Sequence, residues 1–117
     1  MLEIYIIKKP ITRLELKKIA EERFGDLAKA VVDVEKEIMA VGAELHADEE
    51  VLLMEQEESK REYTWGINLY PEKSGDDFIE FDSVINLKPS FGNRSRGIED
   101  PKIREKIKNV VEKLILS

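Results

Sequence analysis

The chain contains no cysteine. Disulfides, thiolate metal sites and cysteine nucleophiles are therefore excluded. Histidine occurs once, as His46. It is the one side chain whose unperturbed pKa suits proton transfer near neutrality. No window approaches the ~20 apolar residues of a membrane span. The N-terminal MLEIYIIKKP has no basic segment before its apolar run and no small-residue cleavage site, so it does not read as a signal peptide. A cytoplasmic protein is the expectation. There is no Rossmann fingerprint, P-loop, EF-hand or zinc spacing. No GxSxG elbow supports a Ser/His/Asp triad around His46. No internal repeat, low-complexity segment or domain boundary stands out.

What is present is charge. Of the 117 residues 38% are charged, and the net charge is −6. That argues against general nucleic-acid binding, which needs a basic surface. The Lys/Glu-rich composition with few amides fits a heat-adapted source. At this length residues 1–117 read as a single domain, able to bury roughly two thirds of its unfolded surface.

The stretch from Asp76 to Arg104 organises the rest. Ile79, Phe81, Ser83, Ile85 and Leu87 fall on one face of an extended chain, which predicts a long alternating strand over 78–88. Glu80 and Asp82 then neighbour each other on the opposite face, roughly 7 Å apart. Such a pair suits one shared cation or divided acid and base roles. A half-solvated sheet face accounts for the same pattern. Pro89 ends the strand. From Asn86 to Ile98 the chain carries Lys88, Asn93, Arg94, Ser95 and Arg96 and no acid. Arg94 and Arg96 could fork around a carboxylate or phosphate, or pair with the protein's own acids. Asp100 and Pro101 then signal a helix start, and Ile103, Ile107, Val110, Val111, Leu114 and Ile115 give it one apolar stripe. Its N-terminus favours an anion beside the arginine loop.

Upstream, residues 2–8 read as a strand ended by Pro10. Thr12 to Glu15 is a capping box opening a helix with Leu16, Ile19, Ala20 and Phe24 on its apolar face, closed by Gly25. Residues 28–44 read as two strands joined near Glu35–Glu37. A single helix is the rival, opposed by the β-branched Val31, Val32 and Val34. In 44–50, an extended chain puts Glu44, His46 and Asp48 on one face, a set able to ligate a divalent metal. Alternatively Asp48 caps a short helix over 49–57. Residues 44–58 hold seven acids and no Lys or Arg. If they meet the arginine loop, the two neutralise each other. Residues 63–70 form a strand with Tyr63, Trp65, Ile67 and Leu69 on one face. The turn-rich 71–77 folds it back onto the central strand, bringing Asn68 onto the face of Glu80.

The predicted fold is α+β: a mostly antiparallel five-stranded sheet, two main helices on one face, and a short third helix. The other, more polar face would serve a ligand, a protein partner or a second subunit in a homodimer. ELHADEE (44–50), INLYPE (67–72) and residues 77–104 resemble a family of short, uncharacterised prokaryotic proteins. The resemblance implies a small soluble domain and no activity. Two functions follow from the residues themselves. One is a module binding an anionic ligand or partner through Lys88, Asn93, Arg94 and Arg96. The other is a metal-dependent hydrolase of a phosphoester-like substrate using His46, Glu80 and Asp82. The enzyme requires its residues to converge within a few ångströms.

Overall fold

The computed structural model describes residues 3–117. In chain order the elements are β1 (Tyr5–Ile7), β2 (Ile11–Thr12), α1 (Arg13–Arg23), β3 (Ala28–Asp33), β4 (Ile38–Val41), α2 (His46–Glu57), β5 (Thr64–Leu69), β6 (Ile79–Glu80), α3 (Pro101–Leu114) and β7 (Ile115–Leu116). Five strands form one antiparallel sheet in the order β1-β4-β3-β5-β6. The fold is α+β, as the sequence predicts. Leu2, expected in the first strand, lies outside the described residues.

Alternation along the strands divides two apolar layers. Ala30, Val32, Met39, Val41, Trp65, Ile67 and Leu69 face α1 and α3, meeting Leu16, Ala20, Ile107, Val110, Val111 and Leu114. Val31, Ile38 and Ala40 face the other way, toward Leu53 of α2 and Ile85. The two expected main helices thus share one face. The third is not short: it has 12 residues against 11 in α1, and it covers part of the second face. That face is therefore not the open polar surface its sequence suggested.

Local signals set most of the boundaries. The Thr12 hydroxyl accepts the Glu15 N–H at 3.1 Å, and Glu15 Oε1 accepts the Thr12 N–H at 3.3 Å. Asp100 Oδ1 caps α3 through the Lys102 N–H at 2.8 Å. The β3–β4 hairpin is correct despite its poor turn residues. Asp33 Oδ1 accepts the N–H groups of Glu35 and Lys36 at 2.9 and 3.0 Å, an Asx turn, and Glu37 takes φ 57°. Phe24 departs from its expected apolar face: it is exposed, with the Lys29 ammonium 5.4 Å from its ring. Ile115 leaves the α3 stripe for β7, which pairs in parallel with β2.

The main correction concerns 78–88. Only Ile79 and Glu80 pair with β5, opposite Leu69 and Asn68. The chain then leaves the ladder and enters a 3-10 turn over Val84–Asn86. Asn86 explains this. Its Oδ1 accepts the Gly66 N–H at 2.8 Å, and its Nδ2 donates to the Gly66 carbonyl at 2.9 Å. One side-chain amide thus meets the backbone groups that a sixth strand residue would have met. Ser83 and Ile85 can lie over β5 because residue 66 is glycine: a Cβ there would stand 2.5 Å from Ser83 Cβ. The alternation predicted as one face is split. Ile79 and Phe81 pack on the α1/α3 side, Ile85 on the α2 side, and Leu87 is exposed.

Candidate functional site

Much of the expected ligand loop is built into the fold. Lys88 is only 2% exposed. Its ammonium donates to the carbonyls of Arg61 and Thr64, lies 4.5 Å from the Trp65 ring centroid, and stands 3.8 Å from Glu50 Oε2. Burial pushes its pKa down to about 8, against the pull of Glu50. Asn93 is also buried. Its Nδ2 donates to the carbonyls of Asn86, Ser95 and Gly97, and its Oδ1 accepts the Glu99 N–H. Neither side chain has a group left for a ligand. Arg94 is exposed, and its backbone N–H donates to Glu99 Oε2 at 3.0 Å. Glu99 and Asp100 stand at the start of α3, so an anion there would meet two carboxylates. The basic loop and the acidic 44–58 segment meet through Lys88 and Glu50; Arg96 instead pairs with Asp82 at 2.7 Å.

The expected extended set Glu44, His46 and Asp48 does not form. Leu45 has extended dihedrals and is the N-cap of α2, with no side-chain cap bond. The helix begins at His46, so Glu44 and Asp48 are exposed while His46 is buried. Asp48 is not the cap; it lies in the first turn, its N–H donating to the Leu45 carbonyl. Glu49, 0% exposed, reaches back to the Ala43 N–H at 3.0 Å. Burial raises its carboxyl well above the usual carboxylate range. Glu80 accepts from Asn68 Nδ2 at 2.8 Å and from the Tyr70 hydroxyl at 3.1 Å, which separates it from Asp82's partner. Among the described residues no group of three or more His, Asp or Glu side chains is placed to hold a metal ion.

The structure nevertheless gathers other polar groups. A cleft of about 270 Å³ opens between the start of α2 and the 82–85 segment, lined by Lys29, Leu45, His46, Ala47, Asn68, Asp82, Ser83, Val84, Ile85 and Arg96. β3 supplies Lys29, and register places it opposite Asn68. The start of α2 supplies His46 and first-turn N–H groups that no side chain caps. Asp82 holds the Arg96 Nε and so orients the guanidinium while leaving its Nη groups. Of the expected site residues, His46, Asp82 and Arg96 line this cleft; Glu44, Asp48, Glu80, Lys88, Asn93 and Arg94 do not.

Two cations, one carboxylate and a helix N-terminus make the cleft locally positive in a protein of net charge −6. Burial lowers the His46 pKa, and Lys29 lowers it further; the Ile67 carbonyl, Asn68 and Asp82 act the other way. His46 Nε2 donates to the Ile67 carbonyl at 2.8 Å. Sequence reasoning missed Lys29. Its signal was a lysine inside an apolar strand, but placing it at the cleft needed the β3–β5 register.

Fold and cleft together define a small antiparallel α+β domain with one face closed by two helices and a charged cleft on the other. No helix among the described residues is long and apolar enough to cross a membrane. The chain belongs to the family described as "Protein of unknown function (DUF5674)", which matches residues 5–114. No curated protein and no solved structure matches it.

Proposed function

We propose that this protein is a binding module for a small anion, carboxylate or phosphate in type, held in the cleft at the start of α2. The supporting observation is the convergence of Lys29 and Arg96 on a helix N-terminus that no side chain caps. A helix end carries roughly half a positive charge, and its free N–H groups suit oxyanions. Leu45, Ala47, Val84 and Ile85 supply apolar walls, so the ligand is small and partly apolar. Of the arginine loop, only Arg96 takes part.

Calorimetric titration with sulfate, phosphate and short carboxylates tests this. The Lys29→Ala/Arg96→Ala double variant should bind at least about tenfold more weakly while melting like the wild type. Absence of binding by every anion, or unchanged affinity in the double variant, overturns the reading. A second reading adds acid–base chemistry, because His46 shares the cleft with Asp82. Phosphoester hydrolysis that disappears in His46→Gln would establish it; no turnover by the wild type would reject it.

A further inference from the structure

Two side chains at the base of the cleft are buried and incompletely paired. The neutral His46 ring carries its proton on Nε2, since that nitrogen donates to the Ile67 carbonyl. Asn68 turns its Nδ2 toward Glu80, which Tyr70 holds from another side. Flipping the amide would set its oxygen against that carboxylate, so its orientation is fixed. Asn68 Oδ1 is then buried without a donor. The same side chain lies against the imidazole and favours its charged form. A neutral imidazole has one N–H, and Ile67 takes it. An imidazolium has two.

The balance on the ring is set by groups from several elements. Lys29 of β3 opposes a positive ring, while Asp82 after β6 and Asn68 of β5 favour it. Arg96 lines the cleft but is paired with Asp82. On the ring's own helix, Asp48 is exposed; Glu49 and Glu50 turn to the Ala43 N–H and the Thr64 hydroxyl. Glu80 and Tyr70 stand behind Asn68. An anion between Lys29 and Arg96 would offset the cations and add a negative neighbour to the ring. We infer, resting on the anion-binding reading, that an anion entering this cleft brings a proton onto His46, so that binding tightens as the pH falls. The coupling is reciprocal: a protonated ring must raise anion affinity by the same factor.

The single histidine makes the test direct. Sulfate keeps its charge between pH 5 and 8 and serves as the probe. The ring C2 proton of the wild-type protein is titrated by NMR with and without saturating sulfate, and sulfate affinity is measured at pH 5.5 and 7.5. The midpoint should rise by roughly half a unit or more, with sulfate bound tighter at pH 5.5, by up to about threefold for a half-unit rise. His46→Gln should lose that difference. The wild-type midpoint decides the matter even if the variant folds poorly. Tightening at low pH with an unmoved midpoint would assign the effect to surface carboxylates and overturn the coupling. Binding that ignores pH, with an unmoved midpoint, would overturn it too and leave the anion site standing. No sulfate binding at either pH would remove both.

Discussion

The loop after β6 and the cleft at the start of α2 hold similar residues and use them differently. In the loop, Asn86, Lys88 and Asn93 are buried, and every polar group of their side chains that the fold encloses has a protein partner. In the cleft, Lys29 makes no ion pair among the described residues, the α2 N-terminus is uncapped, and Asn68 Oδ1 is unmet. Buried polar groups that are satisfied specify a fold; those left open at a concave surface are available to a ligand. The contrast teaches that the density of cations along the sequence was a poor guide to the site. The basic loop is mostly scaffold, and the cleft draws its groups from five separated segments.

If that contrast is right, the largest effects on stability belong to the loop. Asn86→Ala leaves the Gly66 N–H and carbonyl without their partner and the Arg96 carbonyl with the Ser83 N–H alone. At about 1–3 kcal/mol for each buried unmet group, a loss of roughly 4 kcal/mol is expected. Denaturant midpoints measure it. A loss below ~1 kcal/mol would show that β5 finds another edge partner. Gly66→Ala comes next. Its Cβ would overlap Ser83, so the 82–85 segment must move, at roughly 2 kcal/mol. Anion binding should weaken with it, because Ser83 and Ile85 line the cleft.

Lys88 gives a pH-dependent version of the same contrast. Burial lowers its folded pKa to about 8, below the ordinary lysine value of 10.5. Below pH 8 both states carry the proton, and the folded state bears the full desolvation penalty. Between about 8 and 10.5 the unfolded state binds more protons, so stability rises with pH. A gain of roughly 2 kcal/mol from pH 7 to 10 is expected, and Lys88→Met should remove it. Urea melts across that range decide. A flat profile in the wild type would mean that Glu50 and the two carbonyls offset the burial of the charge.

The sequence carried the fold well where local chemistry decides it. Thr12 and Glu15, Asp100 and Pro101, and the apolar periods of α1 and α3 act through neighbours three or four positions away. It failed over 78–88, where a period-two pattern is overridden by one distant contact, Asn86 on Gly66. No local rule shows that an asparagine side chain will replace a strand. The site was half legible. His46, Asp82 and Arg96 stand out by residue type and Asn68 by its hairpin pairing with Glu80, whereas Lys29 becomes a cleft residue only through the register of β3 on β5. Lys88 misled for the same reason: a lysine in a basic loop looks solvated until Trp65 and two carbonyls enclose it.

The smallest stability effects should come from the cleft, and there the contrast is most exposed to failure. Arg96 and Asp82 form a pair whose side chains are 57% and 45% exposed, and exposed pairs contribute little. Lys29 reaches the Phe24 ring through a long cation–π contact and favours the charged form of the buried Glu49 carboxyl, without a close ion pair among the described residues. Lys29→Ala and Arg96→Ala should each shift folding stability by less than ~0.5 kcal/mol. The same substitutions should weaken anion binding. A large stability loss in either would make that cation part of the scaffold, as Lys88 is, and would erase the difference between the two regions. Small losses with binding reduced would mean that the chain keeps these charges for a partner it does not itself contain.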